Sequence, residues 1–407
     1  MPIFPAVIPL LLLLVITAAP DAQAQACTRA TSVAACGNEE FMDCTIDVGG
    51  VDRDFCLHNP KELPPPAAGH ARPVVFVFHG GGSNRRNAVA FVDHLTEQDI
   101  ILIVPQALES DLTLGVPPAA VSSCAPLWRH MTHYGVQDWA DFANPNPNNC
   151  GPAGANNDHD LQLVEALLDE ADARYDVLGH YALGFSNGAG MALQLMITDP
   201  LAERFAGFGL IANGITQEKA DALGAAGVAP WFPNTETLHP TMLIWGTADK
   251  LAFPSETVIA DIDAKVTAGI CPAITDARSF IECYILTPTA PANNVFDYFS
   301  RIDETAFWLV LRNGAFLRAI ETTYADKGRG KGTLFEQDIT IGVRQDYVAL
   351  EPDTEPVSVI TVVGGNHEIP GRDGANAPCG SNNCDFRAIN EILDFWRGHA
   401  GFETQWK

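Results

Sequence analysis

Tyr181-Ala182-Leu183-Gly184-Phe185-Ser186-Asn187-Gly188-Ala189-Gly190-Met191-Ala192 reads as a buried strand that runs straight into a helix. The apolar run closes on Phe185, and the helical segment opens at Ala189. Between them stands a G-x-S-x-G pattern, Gly184 to Gly188. In that context the pattern has a mechanical meaning. The turn holds its serine in a strained conformation with the hydroxyl exposed, and the small flanking residues let strand and helix approach closely. The bland alternative is a glycine-rich turn with no chemical consequence.

Working outward from Ser186, short continuous apolar runs rich in β-branched residues recur at 74–78, 100–104, 208–212, 242–245 and 357–363. Such runs mark strands buried on both faces. Helical periodicity lies between them. Leu161, Val164, Leu167, Leu168 and Ala171 share a face behind a cap near Asn157 or Asp158, and Phe386, Ile389, Ile392, Leu393 and Trp396 do so after Asp385. Alternating strands and helices predict an α/β fold: a mostly parallel central sheet covered on both faces. Cys44 to His58, alternating around Gly49-Gly50, reads as a hairpin ahead of a proline link at 64–66. Two long excursions, 106–156 and 251–299, interrupt the alternation and are expected to be functional walls or lids. The expected organisation is a signal peptide over 1–26, a cysteine-rich segment with a hairpin over 27–66, and one catalytic domain over 67–400.

A second glycine cluster, His79-Gly80-Gly81-Gly82, follows the strand at 74–78. Unobstructed backbone N–H groups there suit a carbonyl oxygen that gains charge as a tetrahedral intermediate forms, each donor being worth about 10²–10³ in rate. The expected oxyanion donors are the amide of Asn187 and one from Gly81 or Gly82. A phosphate cradle is the rival, but no Gly-Lys-Ser/Thr accompanies the loop. Serine needs a base, and the base needs a carboxylate to hold its tautomer. In chain order these fall on Asp249, after the strand 242–245, and His367, after the strand 357–363. The remaining histidines precede the acid or lack the position. His367-Glu368 resembles the start of a zinc H-E-x-x-H, but Gly371 stands where the second ligand belongs and Pro370 disfavours a helix. Cys379 and Cys384 lack a second close pair for a metal, and Asp158-His159-Asp160 reads as helix capping rather than a cation site. No metal site is expected from these patterns.

The balance of 24 basic against 50 acidic residues, a net charge of −26, argues against nucleic-acid or anionic-membrane partners. With 47% hydrophobic and 18% charged residues the chain can build a packed interior. Ala6 to Ala19 is an apolar run too short for a ~30 Å hydrocarbon core, and small-x-small sites at 22–26 follow it, so a signal peptide and a secreted product are expected, with no membrane attachment after cleavage. No Lys or Arg precedes that run, and lipid modification of Cys27 is the minor alternative. Ten cysteines suit disulfides in an oxidising compartment. Pairing does not follow from spacing, although local bridges Cys271–Cys283 and Cys379–Cys384 are natural guesses.

Taken together, His79 to Gly82, Gly184 to Gly188, Trp245-Gly246-Thr247-Ala248-Asp249, Glu304 to Trp308 with Arg312-Asn313-Gly314, and Gly364 to His367 with Pro370-Gly371 resemble landmarks of one family. It is the secreted poly(3-hydroxybutyrate) depolymerase and feruloyl esterase family of α/β-hydrolases, related to carbohydrate esterases. The resemblance covers most of the mature chain. It implies a Ser186, Asp249, His367 triad and extracellular ester hydrolysis without a cofactor. Family members often carry His at the place of Trp245 and an aromatic residue at that of Ile369. These two, with Trp128 and Trp139 of the first excursion, are the expected substrate-pocket residues. The expected substrates are feruloyl- or acetyl-type esters or short hydroxyalkanoate polyesters, and the absence of a separate polymer-binding domain after the helix at 385–397 tilts the expectation towards soluble or plant-derived esters. The rival readings are a catalytically silent α/β-hydrolase used as a binding module and a serine peptidase.

Overall fold

A computed structural model describes residues 26–28, 32–60, 71–111, 124–126, 128, 159–198, 200–214, 238–246, 267–269, 305–306, 309–310, 313, 315–326, 339–349, 354–362, 369, 387–399 and 401–402. Thirteen strands lie among them. In chain order they are β1 (Ala26–Thr28), β2 (Met42–Val48), β3 (Val51–His58), β4 (Arg72–Phe78), β5 (Ile101–Pro105), β6 (Glu109–Asp111), β7 (Cys124–Pro126), β8 (Val177–Phe185), β9 (Phe205–Ile211), β10 (Thr241–Gly246), β11 (Ala315–Asp326), β12 (Ile339–Ala349) and β13 (Val357–Val362). Eleven of them form one sheet in the order β1-β2-β3-β5-β4-β8-β9-β10-β13-β12-β11, while β6 and β7 pair separately.

From β5 through β13 the central strands run parallel. The hairpin β2–β3 joins antiparallel to β5 at one side, and β12 and β11 join antiparallel to β13 at the other. This is the α/β-hydrolase fold. The hairpin turns at Gly49-Gly50 as expected, and it is integral to the sheet rather than an appendage. The pair β11–β12 was not expected, because its segments lack the continuous apolar character of the central strands.

The pleat sends alternate residues to two separate cores. Val74, Phe76, Phe78, Ile101 and Ile103 pack with Leu163, Val164, Leu167 and Leu168 of the helix His159–Arg174 and with Met191 and Leu195 of the helix Asn187–Met196. On the opposite face Val75, Val77, Leu102, Val104 and Leu183 pack with Ala88, Val89 and Val92 of the helix Arg85–Val92 and with Ile389, Ile392 and Trp396 of the helix Ala388–His399. β4, β5 and β10 are buried at every position, which explains their uninterrupted apolar runs.

These cores also fix where a site can form. The chain leaves β4 towards β5 and a helix on one face, and leaves β8 towards β9 and a helix on the other. The strand order reverses between β4 and β8, so a crevice opens outside their carboxyl ends, where ligands of open α/β sheets bind. Both glycine motifs sit at that crevice.

Two disulfides, Cys27–Cys44 and Cys36–Cys56, tie the N-terminal segment to the hairpin. The guessed pairs Cys271–Cys283 and Cys379–Cys384 lie outside the described residues, as do residues 1–25 of the expected signal peptide over 1–26, whose last residue, Ala26, begins β1. No helix among the described residues is long and apolar enough to cross a membrane.

Candidate active site

Ser186 leaves β8 with φ 54° and ψ −121°, a conformation that L side chains rarely adopt. The distortion is held from several sides. The Ser186 N–H donates to the carbonyl of Ile211 at 2.8 Å, and the Asn213 carboxamide donates to the Ser186 carbonyl at 2.8 Å. That carbonyl also begins the helix ladder, accepting from Ala189 and Gly190 at 2.9 and 3.1 Å. The flanking glycines are required by space. A Cβ on Gly184 would overlap the backbone of Gly188, and one on Gly188 would overlap the carbonyl of Phe78. The half-buried serine is thus presented at the head of a ten-residue helix whose first amide is that of Asn187. A helix N-terminus favours developing negative charge.

Across the crevice, the loop from His79 to Gly82 follows β4. Gly82 adopts φ +67°, and both Gly81 and Gly82 are exposed while Gly80 is buried against the Phe185 ring and the Ser186 Cβ. His79 anchors the loop. Its Nδ1 donates to the Gly80 carbonyl at 2.8 Å, and its Nε2 accepts from the Ala107 N–H at 3.1 Å and from the Gln106 carboxamide at 3.2 Å. A donor at one nitrogen and acceptance at the other define a neutral ring, and burial lowers the His79 pKa to about 4. Gln106 in turn accepts the Arg85 N–H at 2.9 Å, and its carbonyl accepts from Arg53.

Arg53 is the buried hub behind this loop. Its guanidinium pairs with Asp160 at 2.6 Å and donates to the carbonyl and Nδ1 of His159 at 3.0 and 3.2 Å. Asp160 lies in the first turn of its helix, so its charge is met both by Arg53 and by the helix N-terminus. Asp160 therefore serves the interior through Arg53, while Asn157 and Asp158, the expected caps, lie outside the described residues.

Asn187 directly follows Ser186, and Gly81 and Gly82 directly follow Gly80, the glycine that packs against the Ser186 Cβ. Asp249, His367 and Trp139 lie outside the described residues. Two expected pocket residues occupy other roles. Trp128 is fully buried behind the glycine loop, edge-on to Phe78 with ring centroids 5.2 Å apart, and offers no face to a substrate. Trp245 is buried within β10, its neighbours being core side chains. Ile369 lines a small apolar pocket with Phe91, Gly184, Phe185, Ile211 and Ile389, next to the end of β8. Asn213 and Gln106 were not anticipated. Each is the first polar side chain, or nearly so, after an apolar strand run, which was the available signal.

Among solved structures, the fold is similar to an acetyl xylan esterase from Aspergillus awamori at 12% identity and a TM-score of 0.42, covering 77% of this chain and 89% of that one. It is also similar to an S-formylglutathione hydrolase from Agrobacterium tumefaciens at 15% identity and a TM-score of 0.31, covering 52% and 77%. A thermostable esterase is similar at 14% identity and a TM-score of 0.31, covering 52% of this chain and 48% of that one. The chain thus matches about half the length of the thermostable esterase. No family model and no curated protein matches the sequence.

Proposed function

We propose that the chain is a secreted serine carboxylic ester hydrolase acting through Ser186, His367 and Asp249, on feruloyl- or acetyl-type esters or short hydroxyalkanoate polyesters. The observation that carries this reading is the backbone of Ser186, forced into φ 54° between two glycines that no larger residue can replace. Strain of this kind persists only where the surrounding structure over-determines it.

Further support comes from the sheet. β10 and β13 are paired, parallel to β8, with Gly246 opposite Val362, so the chain leaves both at the same edge as Ser186. Asp249 follows Gly246 and His367 follows Val362 by a few residues. Ile369, close after His367, packs beside Gly184 and Phe185. The two N-terminal disulfides suit an oxidising compartment.

In this mechanism the Ser186 Oγ attacks the ester carbonyl as His367 takes its proton, and Asp249 stabilises the imidazolium. The oxyanion forms at the amides of Asn187 and the Gly81-Gly82 loop. His367 then protonates the departing alcohol, and water repeats the sequence to release the acid. The test is pre-steady-state turnover of p-nitrophenyl acetate. A burst followed by slower turnover is expected, and Ser186→Ala should lose on the order of 10⁶ in kcat. Equal turnover by that variant would exclude the assignment.

A further inference from the structure

Trp128 belongs to neither the strand nor the helix that frames Ser186, yet it is bonded to both sides of the crevice. Its indole N–H donates to the His79 carbonyl at 2.9 Å. Its backbone N–H donates to the Asn187 Oδ1 at 2.7 Å, and its carbonyl accepts from the Asn187 Nδ2 at 3.2 Å. The Asn187 carboxamide thus pairs with one peptide as a neighbouring strand would.

The two residues that Trp128 joins are the two sources of oxyanion donors in the proposed mechanism. Asn187 supplies the first amide of the nucleophile helix, and His79 begins the loop that carries Gly81 and Gly82. That loop ends in two exposed glycines, so its own side chains cannot fix its distance from the helix. An Asp at 187 would not serve, because it could accept from the Trp128 N–H but would oppose the Trp128 carbonyl and place a negative charge beside the oxyanion.

We infer that Trp128 and the Asn187 carboxamide are positioning residues that set the spacing of the two oxyanion donors, which makes Trp128 part of the catalytic frame instead of a wall of the substrate pocket. This rests on the esterase reading of Ser186. Because Trp128 is fully buried, it touches no substrate, and its loss acts on the transition state through the donors.

The experiment compares Trp128→Phe, Asn187→Ala and the double variant with the wild-type mature chain, measuring kcat and KM for p-nitrophenyl acetate and Tm for each. Phe402→Leu, in the buried aromatic cluster with Tyr181 and Trp396, controls for general destabilisation. Trp128→Phe keeps the aromatic packing and removes the indole donor. It should lower kcat on the order of 10- to 100-fold, since displacements of about 1 Å have effects of that size, with KM held within about 2-fold. The double variant should lose less than the product of the single losses, as members of one network do. Phe402→Leu should lower Tm and leave kcat unchanged. An unchanged kcat in Trp128→Phe, or a loss confined to KM, would overturn the inference while wild-type turnover and fluorophosphonate labelling of Ser186 leave the esterase reading intact. A wild-type chain with neither turnover nor labelling would overturn both.

Discussion

A side chain on Gly188 would collide with the carbonyl oxygen of Phe78, so the helix that follows Ser186 rests directly on the end of the strand that carries the loop from His79 to Gly82. One backbone contact therefore joins both halves of the proposed site. Gly188→Ala should force helix and strand apart, lowering stability by about 1–3 kcal/mol or more and turnover by more than about 10²-fold. Urea unfolding and p-nitrophenyl acetate hydrolysis check this, and a variant with wild-type values in both would contradict it.

His79 makes stability depend on pH. The folded chain keeps the ring neutral down to about 4, whereas an unfolded histidine titrates near ~6.5. Between these values the unfolded chain takes up a proton that the native chain refuses. Unfolding free energy therefore falls as pH drops through that window, by about 3 kcal/mol in full, and this contribution levels off below about 4. Replacing His79 with Gln removes the contribution. The difference between wild type and His79→Gln in urea unfolding should therefore shrink steadily from pH 7 to pH 4. A constant difference would contradict the assignment.

The Arg53–Asp160 pair is buried on both sides. Removing one partner strands the other charge, so Asp160→Leu or Arg53→Met should each destabilise by about 3–5 kcal/mol, while the double replacement should recover much of the loss. Chemical denaturation of the three variants checks this. Additive losses in the double variant would show that the two side chains do not act as a pair.

The N-terminal segment is held by Cys27–Cys44 and Cys36–Cys56, closing loops of 17 and 20 residues in sequence separation. Replacing Cys36 and Cys56 together by Ala should cost about 2–4 kcal/mol. Peptide mapping without reduction should recover these two pairs, and any other pairing of the four cysteines would contradict the fold of this segment.

The parts of the fold legible in the sequence were those where burial is two-sided. β4, β5, β9, β10 and β13 announce themselves because every residue, or nearly every one, must be apolar. β11 and β12 escaped because they extend the sheet antiparallel at its far side, where segments such as Glu321-Thr322-Thr323 and Arg344-Gln345-Asp346 carry polar residues. The turn at Ser186 is legible because Gly184 and Gly188 admit no side chain, and spatial exclusion of that kind leaves a mark in sequence. The supports around it are not. Gln106, Trp128 and Asn213 act through hydrogen bonds between separate segments of the chain, so that even the place of Gln106 and Asn213 just after apolar runs does not name their partners. In the sequence Trp128 reads as a pocket wall, as large aromatic residues of long excursions do, whereas its polar edge is spent on His79.

The most direct test of the central claim is intact-protein and peptide mass spectrometry after treatment of the folded, mature chain with a fluorophosphonate. The account predicts a single adduct on the peptide containing Ser186, absent from Ser186→Ala and abolished by prior heat unfolding. Folded protein that carries no adduct at Ser186, or that is labelled equally in the alanine variant, would contradict it.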